Sequence, residues 1–209
     1  MRVPVRRPAL LRDFAPADLL TLGNAACGTL AILLSLEHVA SGSRAALWQA
    51  FWLLPLALLL DIADGYVARL DRARQSAFGA DLDSLADVIS FGVAPAVLGY
   101  ALGLRGGWDR LILTYFVACG VSRLARFNVT AAALTDERSG KVRYFEGTPI
   151  PTSIGLVVLL AVAVLQDRVG DRLWLGQLPI AGAILHPLAL LYALSGTAMV
   201  STSLRIPKL

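Results

Sequence analysis

Five aspartates, Asp61, Asp64, Asp81, Asp83 and Asp87, fall within 27 positions of an otherwise largely apolar stretch, LLLDIADGYVARLDRARQSAFGADLDSLADVISFGVAPA. A charged side chain at mid-bilayer depth costs roughly 2.5–3.5 kcal/mol on insertion scales, so acids kept there have a partner or a task. Asp61 and Asp64 are three apart and share a helix face, which Ala68 continues; Gly79, Asp83 and Asp87 are four apart and line one stripe of the next helix. Asp81, two positions from Asp83, points elsewhere and belongs nearer the helix edge. The intervening loop is short, so the two helices are antiparallel neighbours, and Asp61, Asp64, Asp83 and Asp87 are expected to converge on one point. Convergent anions repel unless cations intervene. All-oxygen ligands suit hard divalent ions, Mg²⁺ or Mn²⁺. Two such ions about 3.5–4 Å apart form a recurrent clamp for phosphoryl chemistry. Gly65 and Gly79 leave room for a phosphate or ligand to approach closely, Ala68 keeps the groove open, and Arg69 adds a fixed positive charge. Pairing with Arg69, Arg72 and Arg74 across the loop accounts for Asp71 or Asp81. It does not account for Asp61 or Asp87, each about two turns or roughly 12 Å from a helix end.

The elements that must position these acids read as membrane spans. The chain has 209 residues, 56% hydrophobic and 16% charged, with a mean hydropathy of +0.65, where a soluble domain carries about a quarter charged residues. The expected fold is all-α: a polytopic, six-transmembrane-helix bundle forming a single domain over 1–209. A bilayer core needs about 20 apolar residues per helix, and the six candidates are 18–40, 46–70, 78–102, 110–128, 150–165 and 178–201, the last bent near Pro187. An even number of spans puts both termini on one side. Of the nineteen lysines and arginines, fourteen then fall on that side and five on the other, which marks the termini and the acids as cytoplasmic by the positive-inside rule. The basic N-terminus leads into an apolar stretch long enough to span, so no cleaved signal is expected. The basic residues are dispersed between apolar runs, which excludes a nucleic-acid surface. Cys27 and Cys119 sit in apolar runs with no metal-ligand or disulfide spacing.

Among the remaining polar residues, Asn24 inside the first span either hydrogen-bonds a neighbouring helix or serves the site. Arg123 and Arg126 at the end of the fourth span serve as interfacial anchors or bind an anion. Trp48, Trp52, Trp108 and Trp174 read as interfacial belt residues. His38 and His186 carry no assigned role.

The pattern Asp61-x2-Asp64-Gly65-x2-Ala68-Arg69, a gap, then Gly79-x3-Asp83-x3-Asp87 resembles the signature of the CDP-alcohol phosphotransferase family. The nine residues between Arg69 and Gly79 make the gap one longer than is usual there. The resemblance implies that Asp61, Asp64 and Asp83 are ligands of a pair of Mg²⁺ or Mn²⁺ ions. It makes Asp87 the general base that also contacts metal, and Asp61, Asp64, Gly65, Ala68, Arg69, Gly79 and Asp83 the CDP-binding surface. Six spans, cytoplasmic termini and a homodimer are also implied. TLGNAACG, FGADLDSLADVISFGVAPA, RLARFNV and MVSTSLRIPK resemble the integral-membrane phosphatidylserine synthases within that family. YFEGTPIPTS resembles that branch's F-x-G-L-P-x-P-A-A segment, with Thr148, Thr152 and Ser153 departing from it. The expected reaction moves a phosphatidyl group from CDP-diacylglycerol to serine with release of CMP. Other acceptors within the family are ethanolamine, choline, inositol phosphate and glycerol phosphate. A zwitterionic serine needs a cation for its carboxylate; Arg126 or Arg143 is placed to supply it, with Glu146 for the ammonium. A transporter with an acidic relay is the reading from another class, but the inverted repeats frequent in transporters are not visible, and a relay has no use for Gly65, Ala68, Arg69 and Gly79.

Overall fold

The computed structural model describes residues 16–70, 77–134, 144–202 and 205–207. Seven α-helices carry it: α1 (Pro16–Ser41), α2 (Arg44–Leu70), α3 (Ala77–Asp87), α4 (Ala94–Ala101), α5 (Gly107–Leu134), α6 (Ile154–Leu165) and α7 (Leu190–Val200). A π-helical segment, Val88–Val93, joins α3 to α4 without a break in the rod. Short strands β1 (Tyr144–Glu146) and β4 (Arg205–Pro207) pair antiparallel, Phe145 opposite Ile206. Strands β2 (Leu178–Ile180) and β3 (Ala183–Leu185) form a hairpin.

Among the described residues, three helices are long and apolar enough to cross a membrane: Pro16–Ser41, Arg44–Leu70 and the continuous rod Phe78–Ala101. The rod is the central one, its apolar window being 61% buried against 28% and 33% for the other two. Shorter apolar helices cover Ile150–Leu165 and Pro187–Val200. Chain chemistry sets the hairpin between α1 and α2. Gly42 takes φ +72° and donates its N–H to His38 O at 2.8 Å, a left-handed helix stop open to glycine at no steric cost. Ser43 then caps α2, its Oγ accepting from Ala46 N–H at 3.2 Å, which satisfies one of the orphan donors of the first turn. Leu47, Leu54 and Ala57 of α2, Ala31 of α1, Phe91 and Leu98 of the rod, Phe116 of α5 and Tyr192 of α7 meet in one buried core.

The segment expected as a sixth span over 178–201 is corrected. Its first eight residues are the β2–β3 hairpin, and helix begins only after the 3-10 turn at Pro187–Ala189. The turn residues Ala181 and Gly182 have φ of 48° and 79°, the left-handed pair a tight hairpin of this hand requires. Long-range polar contacts fasten the hairpin to the start of α5. The fully buried carboxylate of Asp109 accepts from the His186 backbone N–H at 2.8 Å and from Gly106 N–H at 2.8 Å, and meets His186 Nδ1 at 2.5 Å. Trp108 Nε1–H donates to Ile180 O at 2.9 Å.

Where α1 crosses the π segment, the backbones come close. A Cβ on Gly28 would lie 2.7 Å from Ser90 Cα and would also strike its hydroxyl. Gly28→Ala therefore forces α1 off the rod, an overpacking expected to cost about 1–3 kcal/mol. The check is a lower thermal midpoint in detergent relative to Gly155→Ala, a helix site where an added Cβ meets nothing; equal midpoints contradict the close approach.

Candidate active site

The aspartate-bearing turns of α2 and α3 face each other beside α1. One carboxylate oxygen from each of Asp61, Asp83 and Asp87 lies within 4.8 Å of the others. The carboxyl groups of Asp61 and Asp87 are in hydrogen-bonding contact. Asp87 is 6% exposed, and Asp83 Oδ1 is buried without a partner among the described residues. Two touching carboxyls require either a shared proton or a cation between them. Three convergent carboxylates, an orphaned oxygen and an all-oxygen donor set fit a hard divalent ion.

Asp64 is placed differently. Its side chain, also 6% exposed, is not part of that trio. Its Oδ2 accepts from the Thr21 hydroxyl of α1 at 2.6 Å. Thr21 Oγ1 also lies 3.1 Å from Ala17 O, but the carboxylate is the stronger acceptor. Asn24, one turn along α1, is fully buried and donates from Nδ2 to Asp87 Oδ1 over a long 3.5 Å. The Asn24 carbonyl accepts from Ser90 Oγ at 2.9 Å. The π segment containing Ser90 begins directly after Asp87; such insertions occur frequently at functional sites because they re-aim one residue against its neighbours.

Among the described residues, no atom lies within 4 Å of a Cβ added at Gly65. Ala68 and Gly79 are half-buried, and Arg69 is exposed at the last turn of α2. Asp81 is exposed and turned from the trio, its Oδ1 facing Asn128 Nδ2 at 3.4 Å; Asn128 also bonds Ser84, tying α3 to α5. Arg123 of α5 is half-buried, its Nε has no partner among the described residues, and it lies within electrostatic reach of Asp87. Its guanidinium sits 6.0 Å from the Phe127 ring centre. Arg126 is exposed, with a 3.4 Å bond from Nη1 to Val200 O. Arg143 lies outside the described residues. Glu146 is placed by its backbone in β1, opposite Arg205. A cavity of about 480 Å³ near His38, Arg105 and His186 opens at the other end of α1 and has no part in this site.

Sequence reasoning did not single out Thr21. Its spacing of three from Asn24 was the available signal, since that spacing puts both polar groups of an apolar helix on one face.

The model of the family described as CDP-alcohol phosphatidyltransferase matches residues 14–200. The chain belongs to the CDP-alcohol phosphatidyltransferase family. Among its relatives is a Saccharomyces cerevisiae protein named CDP-diacylglycerol–serine O-phosphatidyltransferase, 40% identical over 202 residues, 96% of this chain and 73% of that protein. An archaetidylserine synthase of Methanothermobacter thermautotrophicus is 42% identical over 138 residues, 65% of this chain and 53% of that one. A Helicobacter pylori protein, also named CDP-diacylglycerol–serine O-phosphatidyltransferase, is 36% identical over 166 residues, 74% of this chain and 65% of its own length. This CDP-alcohol phosphatidyltransferase thus spans only part of each relative. Its matched region contains the whole aspartate motif, α1 and the Arg123 turn of α5.

Proposed function

We propose that this family member transfers a phosphatidyl group from CDP-diacylglycerol to the hydroxyl of L-serine, releasing CMP. The observation that carries the reading is the carboxylate trio of Asp61, Asp83 and Asp87 at the motif positions, joined to 40% identity across nearly the whole chain with a relative named for that reaction. Asp61, Asp64, Asp83 and Asp87 would hold two divalent ions, Mg²⁺ or Mn²⁺. Such ions supply charge neutralisation on the diphosphate oxygens. Gly65, Ala68, Arg69 and Gly79 form the surface on which the cytidine diphosphate lies; Gly65 has the open space this requires. The donor's acyl chains stay in the bilayer, which explains why the acids lie within apolar helices.

Asp87 takes the proton from the serine hydroxyl. The oxygen attacks the lipid-proximal phosphorus in line, the new phosphoester bond forms, and the bond to the bridging oxygen breaks. CMP departs with that electron pair. Burial at 6% exposure keeps water from competing for the base.

The serine carboxylate is assigned to Arg123. Its guanidinium is half-buried within electrostatic reach of Asp87, with Nε unpartnered among the described residues, whereas Arg126 is exposed and bonded to Val200 O. An arginine fork matches a carboxylate with two hydrogen bonds. Six spans are formed by α1, α2, the α3–α4 rod, α5, α6 with its 3-10 entry, and α7, in one domain over 1–209. Both termini and the site face the cytoplasm, and the chain works as a homodimer.

The test is CMP release by the purified chain with CDP-diacylglycerol, Mn²⁺ or Mg²⁺, and serine, ethanolamine, glycerol phosphate or inositol phosphate. Serine is the expected best acceptor; ethanolamine surpassing it overturns the acceptor assignment, and no CMP with any alcohol overturns the reaction. Arg123→Lys and Arg123→Ala are expected to raise the KM for serine by about 10–100-fold, the worth of a charged hydrogen bond at 1.5–3 kcal/mol, with the KM for the donor unchanged. A rise in the donor KM instead moves Arg123 to the diphosphate.

A further inference from the structure

We infer that α1 divides the four aspartates into two unequal metal-binding halves, with Thr21 and Asn24 as the positioning residues. The inference rests on the reading of the site as a two-ion phosphatidyl-transfer centre. Thr21 and Asn24 are 3% and 0% exposed and face the acids from one side of α1. The Thr21 hydroxyl holds Asp64 Oδ2 at 2.6 Å across 43 residues of sequence. That bond fixes how Asp64 presents its carboxylate, which stands outside the trio of Asp61, Asp83 and Asp87. Asp18 of α1 is buried and within electrostatic reach of Asp64. Asn24 serves the opposite half, its Nδ2 directed at Asp87 Oδ1. The Ser90 hydroxyl bonded to the Asn24 carbonyl keeps α1 in register with the turn that follows Asp87, and Gly28 lets the two backbones meet there.

Three convergent carboxylates bind a hard cation without help. The Asp64 half brings a single carboxylate against the trio's three, and Mg²⁺ held through so few carboxylates relies on waters and substrate phosphates for the rest of its octahedron, so its ion is held firmly only with the donor's diphosphate. The ions therefore enter in order: the first on the free enzyme, the second together with CDP-diacylglycerol. Thr21 keeps the halves apart by preventing Asp64 from collapsing into the trio.

Mn²⁺ titration of the full chain in lipid nanodiscs tests this, with free Mn²⁺ followed by electron paramagnetic resonance. One ion per chain is expected without donor, and a second when CDP-diacylglycerol is added without acceptor. Thr21→Val, which keeps the shape and removes the hydroxyl, is expected to weaken the donor-dependent ion by about 10–100-fold, the usual cost of losing an outer-shell partner, and to leave the first ion unchanged. Asn24→Leu is expected to do the reverse, and Thr21→Ser to restore wild-type binding. A general loss of packing weakens both ions together and is not rescued by serine, which contradicts the positioning role. Two equivalent ions on the donor-free wild type overturn the division while leaving the phosphatidyl-transfer reading intact. No bound Mn²⁺ under either condition, with CMP release also absent, overturns that reading and this inference with it.

Discussion

Asp87→Asn is expected to release CMP about 10²–10⁴-fold more slowly than the unaltered enzyme, the range lost when a general base is removed, while still binding CDP-diacylglycerol. The expectation follows from where Asp87 sits. It is nearly buried, in contact with Asp61, approached by the Asn24 amide and within reach of Arg123, so it has the surroundings of a positioned base as well as of a ligand. Asparagine keeps the shape and an oxygen for a cation but cannot take a proton at the working pH. Single-turnover CMP release together with equilibrium binding of the donor separates the two roles. Parallel loss of donor binding, bound metal and turnover in this variant makes Asp87 chiefly a structural ligand and removes it as the base.

The second large effect belongs to Asp83. Its Oδ1 is buried without a partner among the described residues, so none of them offsets the desolvation of that oxygen. A cation resolves this, and Asp83→Asn is expected to weaken divalent binding by more than the roughly 10–100-fold that loss of an outer-shell partner costs. Activity falls with occupancy. Asp61→Asn, from the same trio, is expected to behave alike. The measurement strips metal from each variant, restores it in steps and records bound ion and CMP release side by side. Undiminished activity in Asp83→Asn after that cycle removes the two-ion account, and saturating Mn²⁺ restoring full turnover confines the role of Asp83 to affinity.

The sequence by itself determined the family and most of the helical frame, and it singled out the residues proposed to carry the chemistry. Acids at Asp61, Asp64, Asp83 and Asp87 in apolar segments conflict with their surroundings, and their spacing of three and four puts them on facing helix stripes; such local conflicts are legible without coordinates. The long apolar helices α1, α2 and the α3–α4 rod were legible for the same reason, since hydropathy accumulates along one segment. Only the tertiary structure decided how the four acids are shared out. Spacing predicts that Asp64 turns towards Asp61's face, but a Thr21 hydroxyl from another helix takes its Oδ2, and no local pattern encodes which helix lies beside α2. The same holds for the π segment after Asp87, which sets Ser90 against Asn24, and for the choice of Arg123 over Arg126 beside the acids. The misread sixth span has the matching cause. LPIAGAIL and the helix after it are equally apolar, so an average over the window cannot part them. What parts them is Asp109, 77 residues away, whose buried carboxylate holds the backbone and ring of His186 and ends the hairpin where α7 is about to begin.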